Sequence, residues 1–286
     1  MKKIIFIFLI ICTSFSYAEN INEKNTNIII DSKKVELKLP IISYNDYTLV
    51  PIKNIMPYFN IGKESLSSSK NSISLKKYSS TLDLYVNSTN GYINGNKITL
   101  PVAPVIYKNN LYAPIRVISD FYDCYIYYDN LSNTIFIRNI NEFQQIENFF
   151  KKVQDKLKNI NSLQIDIINE LSNGTSSYAF GNSIYINKKS NTIFEKNVLD
   201  SNWKESKQKI NSINYDFNSN FFAGLSFDRT KSSETQLVFT GFYPSNNILC
   251  ETLFYVDTTS ILINKQVCKF VADDVVVKQT SLYTYE

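Results

Sequence analysis

The pattern of apolar and polar positions changes character near residue 140. Before it, short apolar runs alternate with polar turns, the pattern of antiparallel strands. From 102 to 137, one strand-like run ends at Lys108-Asn109-Asn110 and a second follows. Ala113-Pro114-Ile115-Arg116 then opens a helical segment, and two more strand-like runs close the unit. Ile115, Ile118 and Phe121-Tyr122 recur at helical spacing, so this segment is expected to lay one face on a sheet. Pro114 is expected in the first turn of the helix, where its missing N–H would have no partner.

A worn copy of the front half lies 63 residues upstream. Asp31-Ser32-Lys33-Lys34-Val35 falls on Asn94-Gly95-Asn96-Lys97-Ile98, and Val50-Pro51-Ile52-Lys53 on Ala113-Pro114-Ile115-Arg116. Ile55 falls on Ile118, and, with one residue of slip, Ile73 and Leu75 fall on Ile135 and Ile137. A proline, a cation and the apolar positions in one register predict a duplicated motif. Asn94-Gly95 is a strong hairpin signal.

These residues resemble the copper amine oxidase N-terminal-like stalk domain. The matching positions are Asn94, Gly95, Pro114, Arg116 and Asp129, with Ile135–Ile137 as closing strand, and the likeness spans about residues 27–139. Ala113, Tyr128 and Asp123-Cys124 depart from the family pattern, and the first copy lacks its Trp-Asp turn. The resemblance implies a small antiparallel sheet wrapped on a helix, serving as a spacer or interaction module without chemistry of its own.

From 141 the period changes. Phe143, Ile146, Phe150, Val153, Leu157 and Ile160 alternate three and four apart and predict one amphipathic helix over 141–159. Strands are then expected at 163–170, 177–187, 192–196, 212–217, 224–228, 235–242, 248–256, 261–270 and 275–285. The fold class is therefore α+β: a stalk domain, then a helix packed on a curved antiparallel sheet over 141–286. That order, chiefly in 251–286, resembles the periplasmic lipoprotein-carrier superfamily, which implies a half-open barrel holding acyl chains. In such a barrel the stripe Phe143, Ile146, Phe150, Val153 and Leu157 would be a lid. Leu237, Phe239, Leu253, Tyr255, Ile261 and Ile263 would line the cavity. The alternative is a helix and sheet in direct contact, as close-packed interiors favour.

The first residues read as an export signal: Lys2 and Lys3, an apolar run over 4–12, and Ser16-Tyr17-Ala18 before a cleavage expected after Ala18. Loss of the two lysines lowers the net charge from +4 to +2. With no dense basic cluster, neither nucleic-acid nor anionic-membrane binding is expected. No second apolar run is long enough to span a bilayer, so an integral membrane protein is not expected.

Three cysteines then remain. Cys250 and Cys268 are expected to face each other across a hairpin whose turn centres on Thr259, and to form a disulfide. Cys124 is left as a free, buried thiol.

The chain has no His, so Ser-His-Asp and Cys-His devices and His-based zinc or copper sites are excluded. Three scattered Cys make no Cys₄ site, and no phosphate-binding glycine pattern exists. S-x-x-K occurs at 67–70, 201–204 and 206–209 without its K-T-G companion. No cofactor is expected. Arg116 and Lys53 are read as solvated or locally paired rather than as an anion site. The reading that results is a non-enzymatic exported envelope protein, binding an apolar small molecule or lipid, or an envelope polymer. The alternatives are a carboxylate-dependent hydrolase of such a polymer and a purely structural or adhesive protein. Asp273-Asp274 is the one adjacent acidic pair.

Overall fold

The structure, a computed structural model, describes residues 21–59, 66–68, 71–197, 200, 202–207, 219–245, 248–272 and 275–286. The expected signal segment, the expected strand at 212–217 and Asp273-Asp274 lie outside these residues.

The N-terminal half opens with strands β1 (Ile21–Lys24), β2 (Asn27–Ile30), β3 (Lys33–Val35), β4 (Ile41–Tyr44) and β5 (Tyr47–Pro51), then the short helix α1 (Ile52–Ile55). Next come β6 (Leu66–Ser68), β7 (Ser72–Lys77), β8 (Ser80–Tyr85), β9 (Asn90–Ile93), β10 (Asn96–Thr99), β11 (Val105–Tyr107) and β12 (Asn110–Pro114). Helix α2 (Ile115–Phe121), β13 (Cys124–Asp129) and β14 (Thr134–Asn139) complete it. The turns fold as the polar pairs dictate. Asp31-Ser32, Asn45-Asp46, Asn94-Gly95 and Lys108-Asn109 all have positive φ at both positions, as tight hairpin turns of matching twist require.

Pro51 and Pro114 end their strands and stand just ahead of the helices, not inside the first turn as expected. Each still pairs in the sheet, Pro51 with Tyr112 and Pro114 with Leu49. Pro57 follows α1 closely and offers no N–H to Lys53, so the chain continues as a 3₁₀ turn over Met56–Phe59.

These strands make three small sheets: β1-β4-β5-β12-β11, β10-β9-β8-β7-β6 and β13-β14-β2-β3. In the last, β14 runs parallel to β2, so the closing strand pairs with the opening one. Ile28, Ile30, Ile135 and Ile137 face a core built with Ile55, Ile73, Leu84 and Ile118. Ile29 and Phe136 face the other way, into a second core.

That second core belongs to the C-terminal half. Strand β14 runs directly into helix α3 (Ile140–Lys158), whose first N–H groups are capped by the Asn139 side chain. There follow β15 (Ser162–Ser172), β16 (Ser177–Asn187), β17 (Thr192–Asn197), β18 (Lys204–Glu205), β19 (Leu225–Phe227), β20 (Gln236–Ser245), β21 (Ile248–Asp257), β22 (Ile263–Ala272) and β23 (Val275–Tyr285). They form one antiparallel sheet in the order β18-β17-β16-β15-β23-β22-β21-β20-β19. The protein is thus mostly strand, with α3 as its one long helix among the described residues.

Candidate functional site

The concave face of the nine-stranded sheet is the candidate site. Along β15, Leu163, Ile165, Ile167, Asn169 and Leu171 point one way, while Gln164, Asp166, Ile168 and Glu170 point the other. The register carries both sets across the sheet. Ile165 faces Ile184 and Tyr283, whereas Glu170 faces Lys278, which bonds it at 3.1 Å, and Asp166 accepts from Ser183 at 2.6 Å. Across β23 and β22 that face carries Ser281, Gln279 and Gln266, and it is apolar again at Phe254 on β21 and Phe239 on β20, where it meets α3.

Under α3 the space is filled. Phe150 has its ring centroid 5.0 Å from Phe239, 5.4 Å from Phe222 and 6.0 Å from Phe254. Phe143, Ile146, Val153 and Leu157 are all buried with it. Ile263 joins the same core, with Leu237 and Ile261 at its edge. The helix is a packed wall there and not a lid over space, which corrects the cavity expected beneath it. Leu253 and Tyr255 also need correcting. Phe254 and Val256 point inward, so Leu253 and Tyr255 lie on the convex face.

The hairpin register explains that error and a second one. The loop after β21 is asymmetric: Asp257 N–H bonds Leu262 C=O, and Ile261 takes φ +58, rare for a β-branched residue. A bulge at Tyr255/Val256 adds one more residue of slip. Cys268 therefore faces Thr252, not Cys250, and both thiols are free. Cys124 is a half-buried free thiol whose Sγ donates to Tyr122 C=O at 3.6 Å, and burial pushes its pKa up to about 12.

Toward the far ends of β15, β16 and β23 the same face is less covered. Phe180 is 46% exposed and Tyr178 66%, while Ile167, Ile184, Leu171 and Val277 are half-buried. An open groove of about 470 Å³ lies between the two halves, set mostly by residues that alternate onto the convex face. Phe242, Ile248, Leu249, Phe270 and Val271 line it, and Asn27, Lys34, Glu251 and Lys269 edge it. Among the described residues the concave face carries one carboxylate, Glu195, which accepts from Ser206 at 2.6 Å. The facing pair that a glycoside hydrolase needs is not found there.

The stalk-motif residues serve structure. Asn94 accepts from Thr81 N–H at 2.8 Å, and Gly95 supplies φ +79. Buried Asp129 closes the β13–β14 turn by accepting from Ser132 N–H and Oγ, both at 2.7 Å. Arg116 and Lys53 are exposed, with no ion pair among the described residues.

Sequence reasoning missed Arg138. Its side chain is 2% exposed at the junction of the halves. It donates to Ser32 Oγ and Ser226 Oγ at 2.8 Å each and to Glu142 Oε2 at 3.1 Å. The available signal was a cation at the end of an otherwise apolar strand.

Residues 29–137 match the family model of the copper amine oxidase N-terminal domain. That segment, a little under two-fifths of the chain, is similar to this domain. No curated protein sequence matches the chain. Among solved structures, lipoprotein LppX of Mycobacterium tuberculosis is similar at 9% identity and TM-score 0.30, over 48% of this chain and 93% of its own. A LolA superfamily protein of Nitrosomonas europaea aligns at 11% identity and TM-score 0.18, over 49% and 91%. A putative outer membrane lipoprotein-sorting protein domain of Vibrio parahaemolyticus aligns at 6% and 0.20, over 50% and 93%. Likeness at these scores says nothing about a ligand.

Proposed function

We propose that this is an exported, non-enzymatic cell-envelope protein that binds an apolar ligand, such as an acyl chain, on the uncovered part of its concave sheet. The copper amine oxidase N-terminal unit would act as the stalk that sets the direction of that face. The observation carrying this reading is the unequal cover of the apolar positions on the concave face. Helix α3 fills the half over β20–β22, whereas Tyr178 and Phe180 on β16 stay exposed. An apolar side chain held in water costs free energy that a bound chain would recover, about 25 cal/mol per Å².

An environment-sensitive fatty-acid probe tests it. Saturable uptake is expected, and Phe180→Asp with Ile184→Asp should weaken it at least about tenfold, a loss near 1.4 kcal/mol. A folded wild-type protein that ignores the probe sinks the ligand reading and favours a structural role. Phe239→Asp is no test, because that ring belongs to the filled core.

Export is proposed from the leader sequence, with the mature chain starting at Glu19. The intact mass of the secreted product decides it, and a product retaining residues 1–18 would refute it. We also infer that the N-terminal unit grew by duplication of one motif, within bounds of 27–139. Its support is the offset of the turns, each left-handed pair in 31–46 recurring at 94–109. The pairing of Val50 with Ala113, equivalent residues of the two copies, adds to it.

A further inference from the structure

Away from the concave face, the groove between the two halves joins an apolar floor to two cations at its edges. The floor comes from the alternation of the sheet. Cys250 and Thr252 on β21 and Cys268 on β22 are buried on the inward face, so Leu249, Lys269 and Val271 point outward. Phe242 on β20 stands opposite Glu251 in the register and shares that outward face. Phe242 and Leu249 pack against the second core from its rim, which holds them in place. Val271 beside them is 63% exposed.

The far wall belongs to the N-terminal half. Lys34 on β3 faces Ile29 across the β2–β3 pair. Ile29 points into the second core, so Lys34 lies on the face turned toward the C-terminal half. Lys269 edges the groove from the sheet side. Both lysines are exposed, and neither enters an ion pair among the described residues. Glu251 faces Lys269 in the register but forms no salt bridge with it. Lys278, the other cross-strand neighbour of Lys269, is already bonded to Glu170. The groove edge thus carries two cations, one from each half, against one carboxylate. Such an excess favours an anion between them.

The volume, about 470 Å³, falls within the roughly 300–1,000 Å³ of small-ligand sites. A neutral chain would use the floor alone, and a small anion the lysines alone. A molecule apolar along its length and anionic at one end uses both. We propose that the groove binds a single-chain amphiphile with an anionic head. Its chain lies along Phe242, Leu249 and Val271, and its carboxylate or phosphate sits between Lys34 and Lys269. The site is separate from the uncovered concave face and does not rest on the ligand reading made for that face.

The test uses palmitic acid with a photoreactive diazirine at its chain end, cross-linked to the folded full chain and located by peptide mapping. Label is expected on the segments of β21 and β22 that line the groove. Excess palmitate or a lysophosphatidic acid should compete it away, and whichever does so at lower concentration identifies the head. Lys34→Gln with Lys269→Gln should cut this label at least about fivefold, the scale of exposed ion pairs. Added salt should weaken it too. The methyl ester of the probe should label wild type and this variant equally. Val271→Asp, at an exposed position, should weaken both probes. Phe180→Asp with Ile184→Asp should leave the groove label unchanged, so the two binding readings succeed or fail on different peptides. Label confined to β16 would overturn the proposal. So would acid-probe label that survives loss of both lysines, or the lack of any competable label on folded protein.

Discussion

At the scale of single residues, the polar groups inside this protein are held by neighbours whose chemistry is specific. Asp31 sits in the β2–β3 turn, where burial raises its pKa against the opposing pull of Arg138 and the Asn139 N–H. A raised carboxylate binds protons more tightly in the folded state. It therefore contributes stability below the unfolded pKa, near 3.8, that is lost as pH rises through the folded value. Asp31→Asn should melt higher than wild type at pH 7 and lose part of the wild type's stability change across the acid range. Thermal unfolding over a pH series would show this, and an Asn variant less stable at pH 7 would contradict it. Arg138 was invisible to sequence reasoning because its partners, Ser32, Glu142 and Ser226, come from three separate segments. Tight turns were legible, since Asn-Gly and its polar equivalents announce positive φ locally.

At the scale of elements, the strands of β16 and β23 are written in the apolar alternation, and both were expected with the bounds observed. Register was harder to read. The β21–β22 pairing depends on one left-handed Ile261 and one bulge, neither of which has a pattern signature, and together they move Cys268 from Cys250 to Thr252. Helix α3 was legible from its stripe, but whether it covered space or filled it depended on how Phe222 and Phe254 approach Phe150. Phe150→Ala should cost about 3–5 kcal/mol, as large core truncations do, measured by denaturant unfolding. A second prediction concerns the contact that lets β19 lie on β20. A Cβ on Gly224 would stand 1.8 Å from the Phe242 carbonyl oxygen, a backbone atom that cannot swing away. Gly224→Ala should cost at least about 1–3 kcal/mol, typical of overpacking, and a neutral result would show that the 3₁₀ turn over Ser219–Gly224, ahead of β19, can shift.

At the scale of the whole molecule, β14 joins the two halves without behaving as a linker. Thr134 to Arg138 are all buried, with Ile135 and Ile137 in one core and Phe136 in the other. Melting should therefore be one cooperative transition seen equally by probes in both halves, and limited proteolysis should release no stable fragment at 139/140. Two separated transitions would show that the shared strand does not couple them. The shared strand also bears on modularity. A unit like 29–137 spliced onto another partner carries a ready-made apolar socket, Ile29 beside Phe136, that the new neighbour must plug. Chimeras cut at residue 139 would thus inherit a sticky face unless both positions were made polar.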